Sequence, residues 1–329
     1  MRSTPRIGTE EVLLSIRDLR VTFGTPEGQV MAVDGTSLDI HPGEVLAVVG
    51  ESGSGKSQTA LAVMGLLARN GTSEGSILWE GREILGLPEY QLARLRSEEI
   101  AMIFQNPMTC LNPYLRISTQ MIEGMTMNRK VTRAQARSAC IDMLETVQIA
   151  DAANRIDMYP HEFSGGMLQR IMIAMSLLRR PRLLIADEPT TALDVTVQMQ
   201  IVQMLQHIRQ KYGTAIMLIT HDLGLVASIS DRISVMYSGQ IMESGLAENV
   251  FSSPRHPYTQ ALLDAVPRID RNDRKLRGIT GEPPGPASRT SGCPFHLRCA
   301  FRMTSCVEHR PDMLGSREHA HACHLSNET

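Results

Sequence analysis

The sequence predicts an α/β fold. A mostly parallel sheet is flanked by helices and joined to an antiparallel β portion, a helical insertion and a small cysteine-rich C-terminal extension. Three observations predict it. Short apolar runs ending on glycine or polar residues alternate with helix-length segments over residues 12–250. Segments toward the N-terminus instead alternate apolar and polar residues between glycine and proline turns. After residue 255 the composition shifts toward proline, glycine, cysteine and histidine.

Residues 12–23, 30–40 and 75–84 read as antiparallel strands, punctuated by Gly35 and by Pro42-Gly43. Residues 44–49, Glu-Val-Leu-Ala-Val-Val, form an apolar run that stops at Gly50. The runs 183–186, 215–219 and 233–237 are of the same kind and end at Asp187, at Thr220-His221 and before Gly239. Such runs fit strands buried on both faces. Segments 56–68, 165–179 and 196–211 read as the helices between them. Residues 106–180 read as a mostly helical insertion. Within it Thr132 and Gln135 have capping-box spacing. Ala136, Ala139, Cys140, Met143, Leu144 and Val147 then share one helical face, which makes Cys140 a small core residue. Residues 278–292 are rich in Pro, Gly, Ser and Thr and read as a linker.

Composition excludes several classes. The chain has 329 residues, with 42% hydrophobic and 21% charged, a globular balance rather than a disordered one. A net charge of -2 supplies no field for nucleic acid or anionic lipid, and 4% aromatics cannot build a base-stacking surface. No nucleic-acid partner is expected. Six cysteines are too few for a secreted disulfide scaffold of this length. The apolar stretches 60–68, 171–178 and 215–219 are shorter than the ~20 residues a membrane helix needs. The N-terminus lacks a signal-peptide apolar core. A cytoplasmic protein that meets a membrane only through partners is expected.

Gly50, Glu51, Ser52, Gly53, Ser54, Gly55, Lys56 and Ser57 match G-x-x-x-x-G-K-[ST], between an expected strand and an expected helix. Glycines let the backbone wrap an anion, N–H groups point inward and the helix N-terminus adds its positive end. Lys56 suits the β- and γ-phosphates, and the Ser57 hydroxyl suits Mg²⁺. Asp187 and Glu188 end the apolar run 183–186. A carboxylate pair there has no cheap structural excuse, since unpaired burial is costly. Asp187 suits Mg²⁺ through its water shell, and Glu188 suits polarising the attacking water. His221, after the next strand, suits a hydrogen bond to a γ-phosphate.

The ordered set resembles the ATP-binding subunit of ABC transporters, a P-loop NTPase family. Phe23 in Val-Thr-Phe-Gly lies where that family stacks an aromatic on adenine. Gln105 in Ile-Phe-Gln-Asn-Pro matches its Q-loop, and Phe163-Ser164-Gly165-Gly166-Met167 matches its signature. The run from Pro189 to Asp194 matches its D-loop, and Ile219-Thr220-His221-Asp222 its H-loop. Phe163 and Met167 depart from the leucine and glutamine of the signature but keep Ser-Gly-Gly. The resemblance implies ATP and Mg²⁺ as ligands, with Ser57, Asp187 and Gln105 on the metal side and Glu188, His221 and Gln105 in catalysis. It also implies a head-to-tail dimer. One subunit's phosphate loop and the other's Ser164, Gly165 and Gly166 then sandwich ATP, with Asp194 at the same interface.

Met102 to Thr109, Leu111-Asn112-Pro113, Tyr159-Pro160-His161-Glu162 and His256-Pro257-Tyr258-Thr259 resemble the oligopeptide and dipeptide importer branch, as do Gly292-Cys293-Pro294-Phe295 and Arg298-Cys299. The likeness is strongest to the first of that branch's two ATPase subunits. It implies a tail over 1–11, an ATPase domain over 12–255 with a helical subdomain over about 106–180, and an extension over 256–329. The implied partners are a second homologous ATPase, two membrane permeases and, indirectly, an extracytoplasmic peptide-binding protein. The implied place is the cytoplasmic face of the bacterial inner membrane.

The tail cysteines Cys293, Cys299, Cys306 and Cys323 are spaced C-x5-C-x6-C-x16-C. No C-x2–4-C pair favours zinc, whereas a [4Fe-4S] cluster takes four thiolates at varied spacing. A cluster, a zinc ion and four unmetallated core thiols all remain open. The alternative within this resemblance is the ATPase of a related importer of another solute, such as nickel or glutathione. A soluble repair ATPase is disfavoured because the stretch from Gln105 to Ser164 has no room for a long coiled coil. A translation ATPase would carry two cassettes.

Overall fold

A computed structural model describes residues 11–106, 110–127, 131–191, 193–265, 279–285 and 291–327. The tail through residue 10, the motif residues Pro107, Met108 and Thr109, the D-loop residue Ala192 and residues 278 and 286–290 of the expected linker lie outside the described residues. In chain order the strands are β1 (Leu14–Thr25), β2 (Gly28–Ile40), β3 (Val45–Val49), β4 (Gly71–Trp79), β5 (Arg82–Glu83) and β6 (Ile100–Ile103). They continue with β7 (Leu183–Asp187), β8 (Ala215–Thr220), β9 (Arg232–Tyr237), β10 (Gln240–Leu246), β11 (Leu314–Ser316) and β12 (His319–His321). The chain divides into two units, Met1–Pro88 with Ser230–Thr329, and Glu89–Ile229.

In the first unit β2, β1, β4 and β5 form an antiparallel sheet in that order. Leu14, Ile16, Leu19 and Val21 of β1 are fully buried. Gly35 does not separate strands, as its residue type suggests. It lies inside β2 at φ 75°, where Leu19 faces Thr36 and Arg20 faces Asp34, so it is the extra residue of a bulge. The segment 75–84 proves to be two strands. Glu80 and Gly81 both take positive φ (48° and 77°), the two-residue turn that matches strand twist.

The same unit holds β11, β12, β10, β9 and β3, in that order. All residues of β3 and β9 are buried, and the two run parallel. Each such Val, Leu or Ile removed from water stabilises by about 1.5–3 kcal/mol. β12 adds onto β10, with Glu243 opposite His321 and Gly245 opposite His319. The C-terminal extension therefore continues the core sheet. The helix from Lys56 ends at Met64 rather than at 68. Gly65 sits at φ 63°, its N–H bonds Ala62 O and Leu66 N–H bonds Leu61 O, which stops the helix.

In the second unit β8, β7 and β6 are parallel neighbours. β7 and β8 are buried throughout, which explains their unbroken apolar runs. Neither β6 nor the helix Glu89–Glu98 before it stands out in the sequence. A four-residue strand is too short to show a period. Helices Ile117–Thr126, Arg133–Thr146, Ala152–Arg155 and Gly165–Leu177 follow. The Thr132–Gln135 capping box is formed in both directions, worth about 1 kcal/mol. Cys140 is fully buried, and burial pushes its thiol up to about 11, so it is inert core.

Candidate functional site

In the first unit β3 runs straight into the loop 50–57, and the helix Lys56–Met64 opens from Gly55. Gly50 is required by close approach, since a Cβ there would lie 2.0 Å from the Met236 carbonyl oxygen. Lys56 is buried. Its Nζ donates to the carbonyls of Gly50 (2.8 Å) and Glu51 (2.9 Å) and to Ser54 Oγ (3.3 Å). The ammonium therefore lies folded against the loop that would cradle phosphate. Ser57 is half-buried in the helix's first turn, and Ser52 and Gly53 form the exposed tip. Phe23 lies half-buried on β1, opposite Gly71. A Cβ on Gly71 would meet its ring at 2.6 Å, so that glycine makes room for the aromatic face.

Glu51 behaves differently from the rest of the loop. Its carboxylate faces the extension, where Arg298 Nη1 and Nη2 donate to Oε2 and Oε1 at 2.6 and 3.0 Å. Its own N–H donates to the Tyr258 hydroxyl at 3.0 Å.

In the second unit the carboxyl ends of three parallel strands release the candidate catalytic groups along one edge, the usual place for a site in such sheets. Ile103 pairs with Ala186 and Asp187 with Ile219, so Gln105, Asp187-Glu188 and His221 all follow strand ends. Asp187 is buried at the end of β7. Glu188 sits at φ 47°, a left-handed conformation costing a non-glycine residue about 1–3 kcal/mol. Its N–H bond to the Ile219 carbonyl helps hold it there. Glu188 Oε2 accepts from Gln105 Nε2 (2.8 Å) and from Thr191 Oγ1 (2.8 Å), and Oε1 lies 3.3 Å from His221 Nδ1. These four side chains form one network around a carboxylate that is 17% exposed, beside a histidine that is 64% exposed. A partly shielded carboxylate next to an open imidazole can take a proton from a bound water. Thr191 is the member that sequence reasoning misses, since its threonine-rich D-loop gives no sign which hydroxyl turns inward.

Ser164 caps the helix Gly165–Leu177, its Oγ accepting from the Met167 N–H at 3.4 Å. Asp194 likewise caps the helix Val195–Tyr212, Oδ1 accepting from Val197 N–H at 2.9 Å. Both side chains thus serve their own helix ends in this structure. A Cβ on Gly166 would approach Val197 Cγ1 at 2.9 Å, so the two helix starts pack closely.

Cys293, Cys299, Cys306 and Cys323 line one cavity of about 10 Å³, room for about one water molecule, with Phe295, His296 and Phe301 in its wall. Gly292 makes this possible, since a Cβ there would collide with the Cys306 carbonyl at 2.2 Å. Burial pushes the Cys293 thiol up to about 12 and raises Cys299 and Cys323. As placed, no three His, Cys, Asp or Glu side chains among the described residues form a group that could hold a metal ion. The sulfurs share a cavity without closing on a common centre.

Residues 33–191 match the family described as ABC transporter, and residues 242–306 match the oligopeptide/dipeptide transporter, C-terminal region. The chain is 52% identical over 301 residues to an oligopeptide transport ATP-binding protein, OppD, of Escherichia coli (strain K12), covering 92% of this chain and 89% of that one. It is 44% identical over 321 residues to the dipeptide transport ATP-binding protein DppD of Bacillus subtilis (strain 168), covering 97% and 96%. Among solved structures, the dimeric ATP-binding cassette MJ0796 bound to ADP and Pi aligns with a TM-score of 0.64 at 24% identity. It covers 71% of this chain and 98% of that chain, a likeness of fold. Among the described residues no helix is long and apolar enough to cross a membrane.

Proposed function

Because this chain belongs to the ABC transporter family, in the branch of oligopeptide and dipeptide transport ATP-binding proteins, we propose that it binds and hydrolyses ATP to drive peptide import through partner permeases. The observation that carries the hydrolytic part is the Glu188 network, where one carboxylate is held by Gln105 and Thr191 and faces His221. The loop 50–57 binds the ATP phosphates, with Lys56 leaving the loop carbonyls for the β- and γ-phosphates. Glu188 accepts the proton of the attacking water, and His221 hydrogen-bonds the γ-phosphate. Phosphoryl transfer needs little beyond such positioning and charge neutralisation. Ser57 and Asp187 offer the oxygen donors that Mg²⁺ takes, with Gln105 as a further amide oxygen. When bound, Mg²⁺ neutralises charge on the phosphates.

The partners in this reading are a second homologous ATPase, two permeases and, indirectly, a peptide-binding protein outside the membrane. The chain works at the cytoplasmic face of the inner membrane. Proteoliposomes holding this chain, the second ATPase and both permeases test it. Labelled oligopeptide should enter only with ATP on the cytoplasmic side and the loaded binding protein opposite. ATP-driven uptake of nickel or glutathione without peptide would overturn the peptide assignment and leave the ATPase assignment standing.

The four tail thiols match a thiolate-held metal group in donor chemistry alone, since their shared cavity has room for about one water molecule and must open to admit a cluster. We assign them to a [4Fe-4S] cluster, held by Cys293, Cys299, Cys306 and Cys323 after the side chains turn toward a common centre. Such a cluster supplies a covalent cross-link between distant parts of the extension. Anaerobically purified protein should contain about four iron and four acid-labile sulfide per chain. Colourless, iron-free protein would sink the assignment, and one equivalent of zinc in its place would replace it.

A further inference from the structure

We infer that the C-terminal extension sets the ATP affinity of the phosphate loop through a clamp on Glu51, with Arg298 and Tyr258 as positioning residues. This rests on the loop 50–57 binding ATP. The base of the loop is held, with Ser54, Gly55 and Lys56 buried and the Gly239 N–H on the Ser54 carbonyl at 2.8 Å; the stretch from Glu51 to Gly53 is the more open part. Its tip is exposed, and a Cβ on Gly53 would meet nothing within 4 Å. A glycine-rich loop left free loses much backbone freedom when it closes on phosphate. Glu51 removes that freedom in advance. Arg298 donates twice to its carboxylate, and Tyr258 accepts from its N–H. The Glu51 carbonyl in turn accepts from Lys56 Nζ at 2.9 Å. One residue therefore joins the extension to the phosphate-binding lysine.

The far side of the clamp is buried and packed. The Arg298 side chain is 4% exposed, and Glu51 keeps its guanidinium charged. Arg298 also donates to the Thr280 carbonyl (3.1 Å) and to the Tyr237 hydroxyl (3.3 Å). Tyr237, Tyr258 and Phe295 pack as a trio with ring centres 4.6–5.3 Å apart. His256 starts the helix Pro257–Asp264, its Nδ1 accepting from the Tyr258 N–H, and burial keeps its ring neutral, with its pKa lowered to about 3. Two-point charge-assisted pairing of a carboxylate with a shielded guanidinium is the strong form of such contacts. Pre-organising a binding loop shows up as affinity.

The test uses the full chain in the assembled transporter and measures ATP hydrolysis against ATP concentration. Arg298→Gln should raise KM for ATP about tenfold with kcat within about twofold. Glu51→Gln should do the same from the loop side without changing an extension residue, and the double variant should be no worse than either single one. Tyr258→Phe should raise KM about threefold, and Arg298→Lys should fall between wild type and Arg298→Gln. If Arg298→Gln does not assemble, Glu51→Gln carries the test. Unchanged KM in Glu51→Gln, or additive effects in the double variant, would overturn the clamp. A wild-type complex that hydrolyses no ATP would instead overturn the function on which the clamp rests.

Discussion

Glu188→Gln is expected to lower steady-state ATP hydrolysis by about 10²–10⁴-fold, the usual contribution of a general base, while ATP still binds. The geometry explains why the effect is confined to chemistry. The introduced amide would keep an oxygen for the two donors that now meet Oε2, Gln105 Nε2 and Thr191 Oγ1. Its NH₂ would face His221 Nδ1 where Oε1 now stands. The left-handed backbone at φ 47° is no harder for glutamine than for glutamate. What disappears is the group that accepts the water's proton. The loop 50–57 lies elsewhere in the chain and is untouched, so ATP should hold the closed dimer and accumulate it. Single-turnover phosphate release and gel filtration with ATP measure the two halves. Hydrolysis at the parent rate would show that Glu188 is not the base.

Ser164→Arg should stop transport in the assembled complex, with hydrolysis at the site the signature completes down by about a hundredfold, the scale on which one transition-state contact acts. The Ser164 hydroxyl caps the helix Gly165–Leu177, and loss of a cap costs only about 1 kcal/mol. That alone does not abolish activity. The larger effect is a long cationic side chain where the partner's γ-phosphate would sit. Two controls separate these effects. Ser164→Ala loses the cap hydroxyl alone and should keep most of the transport. Ser164→Asp keeps the cap but places a negative charge beside phosphate, and should also fail. Normal uptake by Ser164→Arg would contradict the head-to-tail sandwich.

The phosphate loop is legible because its chemistry is local. Gly50, Gly55, Lys56 and Ser57 must be contiguous for one backbone to wrap one anion. The same holds for Asp187-Glu188 at a strand end and for Ser164 at a helix start. Less legible is what turns inward. Asp194 and Ser164 are motif residues, yet their side chains cap their own helices here. Gly35 looks like a strand boundary and is a bulge, because a bulge and a turn ask the same of a glycine. Thr191 joins the Glu188 network although nothing in its motif sets it apart from Thr190.

The sequence alone determined the strand-and-helix alternation, the nucleotide motifs and the four-cysteine tail, all of which rest on periodicity or short spacing. Tertiary structure decided that β12 extends the core sheet along β10, that four cysteines line one cavity, and that Arg298 reaches Glu51 across 247 positions. Pairings at such separation leave no local pattern. They depend on which surfaces the folded chain brings face to face, and a shielded guanidinium then requires a carboxylate opposite it.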